Sequence, residues 1–229
     1  MTIFRAPINT ITDKDIAQLC TDAVSEGLEL ELKSDLPSRS GQRDGWHAGQ
    51  AFGDYARNQI AEEIIAFANT AGGVVLIGIN ETTDHPHRAD RPNPLPRVHE
   101  LARRLRQAVY DIVDPPLPLL EAEGVDMGAG SGVVVMRVAA SRRKPHRHQA
   151  NKEVFIRRAD ESVRIGMREI QELTLRSVAD ATRVDQIIND RRVGFERDLL
   201  DWGRQRDKSG DRRFPGGGIH FIASPGLVY

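Results

Sequence analysis

The stretch "IIAFANTAGGVVLIGINE", residues 64–81, predicts a helix that leads directly into a buried strand. Apolar residues recur at helical spacing over residues 55–69, which predicts the helix. The letters "NTAGG" end it, because Gly72 or Gly73 can adopt a left-handed conformation after a helix without steric penalty. Residues 74–79 are apolar throughout, which is typical of a strand that is covered on both faces. This stretch therefore predicts a central strand of a sheet in an α/β protein.

A second strand is predicted at residues 28–33, within the stretch "EGLELELK", where leucines alternate with charged residues and Glu26 stands just before the strand. The period of two separates two sets of side chains, Leu28, Leu30 and Leu32 on one face and Glu29, Glu31 and Lys33 on the other. Such a charged face is typical of a solvated strand. If this strand lies beside the one that ends at Asn80 and Glu81, however, carboxylates from both strands converge. Carboxylates bind Mg²⁺ or Mn²⁺, since hard cations prefer oxygen, and beside a basic groove they form a centre for phosphodiester cleavage.

The rest of the pattern surrounds this pair of strands with helices and further strands. Helices are predicted at residues 13–24, at 98–113 and from Met167, and strands at 119–125, 132–140 and 153–159. Cys20 falls among the apolar positions of the first helix, so we expect a small core residue. The order of elements predicts a mixed α/β fold, a mixed sheet with flanking helices.

The chain divides by composition into three predicted segments. Residues 1–176 form the α/β domain, 177–209 a helical extension, and 210–229 a linker followed by a terminal strand. Apolar residues at helical spacing make residues 184–202 a candidate homodimer interface. A single strand needs a partner, so the terminal strand either opens a further domain or pairs with the first.

Basic residues cluster in one part of the chain, although the formal net charge is only −1. Between residues 137 and 168 they are Arg137, Arg142, Arg143, Lys144, Arg147, Lys152, Arg157, Arg158, Arg164 and Arg168. One interpretation is a face that binds a polyanion. The other is a solvated surface whose arginines pair with acids elsewhere, and charge alone does not decide between them.

Several classes of function have no support in the sequence. Neither GxxxxGKS nor GxxxxGKT occurs, so no ATP site of the phosphate-loop type is predicted, and GxSxG is absent. A single cysteine excludes an internal disulfide. No apolar run approaches the roughly 18 to 20 residues that span a bilayer, and the start lacks the features of a secretory signal. We therefore expect no membrane partner and a cytoplasmic location.

Five stretches, taken in order, resemble the Schlafen AlbA_2 domain, once called divergent AAA-4. They are "EGLELELK", "IAEEIIAFANTAGGVVLIGI", "DPP", "VVVMRVAASRRKPHRH" and "VFIRRADES". The resemblance spans roughly residues 16–173, and the block "AFANTAGGVVLIGI" is its most specific part. It implies a mixed α/β domain. It also implies a possible nuclease, since vertebrate members with this activity cleave transfer and ribosomal RNA with carboxylates and a divalent metal.

The resemblance also implies roles for particular residues. Glu26 and Glu31 match the two glutamates of the nucleases, Lys33 matches their lysine, and Glu81 stands where they carry an aspartate. The metal, Mg²⁺ or Mn²⁺, would be held by Glu26, Glu31 and Glu81, with Asp84 as an alternative ligand. The residues expected to contact the nucleic-acid backbone are Arg142, Arg143, Lys144, His146, Arg157 and Arg158. The cysteines and histidine that bind zinc in the family have no counterpart.

Three functions follow as hypotheses. The first is a metal-dependent endoribonuclease that cleaves structured RNA such as tRNA, with RNA preferred over DNA and a role in stress or defence. Vertebrate Schlafens join two such lobes around RNA, so we expect a homodimer of this single lobe. The second hypothesis is a non-catalytic nucleic-acid-binding module of a regulator or defence protein. The third is a protein-interaction or sensor domain without a nucleic-acid ligand.

Overall fold

The computed structural model describes residues 2–39 and 42–209. Its α-helices are α1 (Thr2–Arg5), α2 (Asp13–Thr21), α3 (Asp54–Asn69), α4 (Val98–Ile112) and α5 (Met167–Ser209). Its strands are β1 (Leu30–Lys33), β2 (Gly72–Ile77), β3 (Ile79–Glu81), β4 (Ala89–Pro92), β5 (Leu95–Pro96), β6 (Val113–Asp114), β7 (Leu120–Asp126), β8 (Ser131–Ala139), β9 (Arg147–His148), β10 (Phe155–Arg158) and β11 (Glu161–Arg164). Two 3₁₀ turns lie at Ile8–Thr10 and Gly45–Ala48.

The main sheet is mixed, as the sequence predicts. Its strand order is β1-β2-β8-β5, and β7 also pairs with β8. The strands β1 and β2 are parallel, with Glu31 opposite Val75, and α3 forms the connection between them. A parallel pair needs such a crossover, whereas β8 pairs with its neighbours in the antiparallel sense. The prediction of a mixed α/β fold is therefore confirmed.

Two hydrophobic clusters cover the two faces of the central strand β2. Val75 and Ile77 belong to the cluster beneath α3 and α4. Val74 and Leu76 belong to the other cluster, which also contains Leu30 of β1. A strand buried on both faces needs apolar residues at every position, which explains the uninterrupted run in the sequence.

The first two residues of β2 are glycines, and each is required for a different structural reason. Gly72 has a φ of 80°, in the left-handed region that disfavours other residues. At Gly73 a Cβ atom would lie 2.4 Å from the ring of Phe67, so no side chain fits there. The chain can therefore leave the helix and enter the sheet within a few residues.

Several element boundaries differ from the predictions. Leu28 is not part of β1 and is 45% exposed. The run predicted as one strand is interrupted at Gly78, where φ is 103°, and β3 pairs instead with β4. The helix predicted to begin at Met167 continues as α5 to Ser209.

The chain separates into two compact units, Met1–Thr174 and Leu175–Tyr229. The predicted segment boundaries at 176/177 and 209/210 stay predictions. The linker and terminal strand predicted for residues 210–229 lie outside the described residues. Within residues 2–39 and 42–209, no helix has both the length and the apolar character that crossing a bilayer requires.

Candidate functional site

The charged face of β1 is buried, although such a face is typical of a solvated strand. Glu31 is only 5% exposed. Lys33 pairs with it through Nζ and lies 3.6 Å from Oε1 of Glu63, a residue of α3. The helix that links β1 to β2 thus places a second carboxylate over this face. We call Glu31, Lys33, Glu63 and Arg157 the buried ion cluster.

Arg157, from β10, is the most deeply buried member of the ion cluster. Its side chain is 0% exposed, with Nη2 2.8 Å from Oε2 of Glu31 and Nη1 2.8 Å from Oε2 of Glu63. The contact with Glu31 lacks the alignment of a hydrogen bond, and within the described part of the chain this oxygen accepts none. The guanidinium carbon lies 4.7 Å from the centre of the Phe67 ring. Arg157 is therefore enclosed by protein, which corrects the expectation that it contacts a nucleic-acid backbone.

Burial and neighbouring charges act in opposite directions within the ion cluster. Burial by itself lowers the pKa of Lys33, but the carboxylates of Glu31 and Glu63 outweigh it and raise the pKa above the ordinary value. Burial raises the pKa of the Glu31 carboxyl, and Glu63 adds to the rise, whereas Lys33 and Arg157 oppose it. Lys33 is therefore positively charged at neutral pH.

Glu26 lies next to this cluster and is half-buried. Its Oε1 accepts a 2.7 Å hydrogen bond from the backbone N–H of Leu32. Burial raises its pKa to about 7, and the nearby charges of Glu31 and Glu81 contribute to the rise. Such a carboxyl can be present in both protonation states near neutral pH, which is common at functional sites.

The predicted metal ligands do not form an ion site as they are arranged. Among the described residues, no three or more His, Cys, Asp or Glu side chains are grouped so that they could hold a metal. Glu31 is taken up by its ion pairs with Lys33 and Arg157. Glu81 and the alternative ligand Asp84 are exposed. The structure therefore brings Glu81 within electrostatic reach of Glu26, but not into a shared coordination sphere with Glu31.

The end of α3 holds two basic segments in place through Asn69. The side chain of Asn69 accepts from the N–H of His146 at 2.7 Å and donates to the His146 carbonyl at 2.8 Å. It also donates to the carbonyl of Phe155, in β10, at 2.9 Å. The basic loop 140–146 and strand β10 are thus fixed to the same helix end. Asn69, within the stretch "FANT" of the sequence, therefore has the structural role of joining these two segments to α3.

His146 is fully buried, so it cannot contact a nucleic-acid backbone as expected. Its Nδ1 lies 2.8 Å from the carbonyl oxygen of Pro115, and its Nε2 lies 2.6 Å from Oγ of Ser141. Burial lowers the pKa of His146, which favours the neutral ring. His146 therefore holds the basic loop 140–146 in place through its buried contacts with Pro115 and Ser141.

The other four predicted contact residues remain accessible. Arg142, Arg143 and Arg158 are exposed and Lys144 is half-buried, and we call these four residues the basic rim. Arg158 is 54% exposed in its side chain and pairs with Glu169 of α5. An exposed ion pair of this kind contributes little and can exchange for a phosphate.

Sequence reasoning missed three residues that organise this region: Glu63, Asn69 and Ser162. One signal was available for Glu63, because it stands four residues before Phe67 and so shares the buried face of α3. No local pattern marks Ser162, a residue of β11. Its hydroxyl donates a hydrogen bond to the carboxylate of Glu63 in α3.

The fold and site define a mixed α/β domain with a buried ion cluster under its crossover helix and a basic rim at the same helix. The family model described as Schlafen, AlbA_2 matches residues 26–166. The chain belongs to this family, and the family is associated with nucleic acids. No curated protein sequence matches the chain.

Several solved structures are similar to the chain, among them one from Corynebacterium diphtheriae and one from Nitrosomonas europaea. The DIP2311 protein from Corynebacterium diphtheriae is 21% identical, with a TM-score of 0.44, and the match covers 69% of this chain and 30% of that one. The chain thus spans about a third of that protein. The N-terminal domain of a RecG-related protein from Nitrosomonas europaea is 23% identical, with a TM-score of 0.40, over 65% of this chain and 88% of that domain.

Proposed function

We propose that this domain binds nucleic acid, with RNA preferred over DNA, and that the basic rim contacts the phosphate backbone. The observation that carries the proposal is that Asn69 fixes both rim-bearing segments to one helix end, in a chain of the Schlafen AlbA_2 family. A preformed set of cations binds a polyanion without the cost of ordering a loop. The preference for RNA rests on the resemblance to the Schlafen nucleases.

Binding through the basic rim predicts a defined dependence on salt. Each phosphate contact releases counterions, so log Kd changes with log salt by about 0.7 to 0.9 per contact. The variant Arg142→Ala/Arg143→Ala should bind tRNA more weakly, with a slope reduced by about 1.5 if both residues contact phosphate. Fluorescence anisotropy across a salt series measures both quantities, and a DNA hairpin of matched sequence tests the preference for RNA.

A matched control uses two exposed arginines of α4. Arg103→Ala/Arg106→Ala removes the same charge from another part of the domain, and should leave affinity and slope close to those of the wild type. Equal losses in both double variants would mean that only net charge matters. Either that result or an absence of binding to RNA and DNA in the wild type would overturn the proposal, and absence of binding would favour the protein-interaction hypothesis.

Glu26 and its neighbours favour a second candidate function, an endoribonuclease that cleaves structured RNA such as tRNA. A carboxyl with a pKa of about 7 can accept and return a proton at neutral pH, as general acid–base catalysis requires. Lys33 is 28% exposed in its side chain and carries charge that could offset a developing negative charge on phosphate. Glu26, Glu31 and Glu81, all within the described part of the chain, do not fit a divalent metal as arranged, so the roles proposed for Glu26 and Lys33 do not depend on one.

The enzymatic function is tested by incubating the protein with tRNA in the presence of Mg²⁺, Mn²⁺ or a chelator. Glu26→Gln keeps an oxygen for the Leu32 N–H but cannot exchange a proton, so cleavage should be lost while tRNA affinity is kept. The exposed neighbour Glu29 gives the control, since Glu29→Gln should cleave normally. Cleavage that persists in Glu26→Gln, or no cleavage by the wild type in any condition, would rule out this second function.

A further inference from the structure

Six oxygen atoms surround the guanidinium of Arg157 inside the domain. The carboxylate oxygens Oε2 of Glu31 and Oε2 of Glu63 each lie 2.8 Å from it. The other four are Oγ of Ser162 at 3.2 Å and the backbone carbonyl oxygens of Asp160 at 2.9 Å, Gly27 at 3.1 Å and Leu30 at 3.5 Å. We call this arrangement the oxygen cage.

The chemistry of the oxygen cage is that of a hard-cation site. Carboxylates, carbonyls and hydroxyls are the ligands that Mg²⁺, Mn²⁺ and Ca²⁺ prefer. Here the charges of the two carboxylates are compensated by cations of the chain itself, the guanidinium of Arg157 and the ammonium of Lys33. Two buried carboxylates without such compensation would be strongly destabilising.

We propose that Arg157 is the resident cation of the oxygen cage and fills the charge-compensating role that a divalent ion would otherwise have between Glu31 and Glu63. The domain therefore requires no divalent metal at this cluster in order to fold. The proposal concerns the folded chain, so it is independent of whether the domain binds or cleaves RNA. It also means that removing the guanidinium should convert the cage into a site for an added cation.

Thermal unfolding of two neighbouring arginine variants tests this proposal. In chelator, Arg157→Ala should lower the Tm by about 10 °C, because two buried carboxylates lose a shared partner. Millimolar Mn²⁺ or guanidinium should restore part of that loss. Arg158→Ala removes an exposed arginine one position along the chain, so its Tm should stay close to that of the wild type and respond to neither cation.

A triple variant shows whether the restored stability comes from the oxygen cage. Arg157→Ala/Glu31→Gln/Glu63→Gln has no carboxylates left in the cage, so neither cation should raise its Tm. If Arg157→Ala is recovered unfolded, the same comparison is made by circular dichroism, as helix regained on adding Mn²⁺ or guanidinium. Failure of both cations to restore Arg157→Ala would overturn the proposal. So would a rise in wild-type Tm with Mn²⁺ that Glu31→Gln abolishes.

Discussion

Asn69 shows how much one polar side chain can organise in this domain. It is 2% exposed, yet its amide makes three hydrogen bonds to the backbone of two distant segments. A buried amide is tolerated only when its donors and acceptor are satisfied. The same bonds place the segments that carry the basic rim, so stability and the proposed binding surface depend on one residue.

We predict that Asn69→Ala destabilises the domain by about 2–4 kcal/mol. The substitution leaves the His146 N–H and two buried carbonyls without their side-chain partner, and each buried unsatisfied group costs about 1–3 kcal/mol. Urea unfolding measures the loss. Asn151→Ala, at an exposed asparagine in a loop, is the control and should change stability by less than about 0.5 kcal/mol. Equal effects of the two substitutions would contradict this role for Asn69.

Glu26 gives a prediction for the dependence of stability on pH. Its pKa is raised from 4.5 to about 7, so the folded chain holds the proton more tightly than the unfolded chain. The stabilisation is complete below pH 4.5 and is lost as pH rises through 7. Wild type should therefore lose stability relative to Glu26→Gln between pH 5 and pH 8. Urea unfolding at both pH values checks this.

The matched control for that experiment is Glu29→Gln, which removes an exposed carboxyl from the same segment. If the stability difference between wild type and Glu26→Gln is the same at both pH values, Glu26 does not titrate as described.

At the scale of elements, β1 shows that a strand pattern predicts which residues share a face but not whether that face is buried. The alternation in residues 28–33 correctly predicts that Leu30 and Leu32 share a buried face. It does not show that Glu31 on the opposite face is covered too, because the cover is α3 together with β10. A period of two assigns residues to faces, whereas burial depends on what packs against each face.

The observed start of β1 predicts different effects for two neighbouring leucines. Leu30→Ala should cost about 2–4 kcal/mol, because Leu30 is 3% exposed and a cavity would remain in the core. Leu28→Ala should cost less than about 1 kcal/mol, since Leu28 lies before the strand and is 45% exposed. Denaturant unfolding of both variants compares them. A loss at Leu28 as large as that at Leu30 would mean that the strand begins earlier.

At the scale of the whole molecule, α5 carries apolar side chains that are exposed in the part of the chain that the structure describes. Ile188 and Phe195 are 53% and 57% exposed and stand seven residues apart, so they share one side of the helix. Exposed apolar residues at this spacing fit a helix that pairs with another helix. We therefore retain the homodimer through residues 184–202 as a proposal, with a second copy of this chain as the partner.

The homodimer predicts a change of mass in solution. Light scattering at micromolar concentration should give twice the chain mass for the wild type and the monomer mass for Ile188→Lys/Phe195→Lys. As a control, Asp190→Lys/Glu196→Lys introduces two lysines at exposed polar positions of the same helix and should remain dimeric. A monomeric wild type would refute the dimer without affecting the proposals for the Schlafen AlbA_2 domain itself.

The sequence by itself determined the order of the longer helices and strands, the doubly buried strand, the leucine face of β1 and the family. The structural features follow from periodicity and turn chemistry, which act between residues close in the chain, whereas the family follows from the resemblance of five stretches of sequence. The tertiary structure alone decided the environment of the charged residues. It put Arg157 and His146 inside the domain, enclosed Glu31 between two cations, and kept the predicted metal ligands from forming an ion site. The physical reason is that burial and ion pairing depend on which distant segments pack together. A local pattern of residues does not predict that packing.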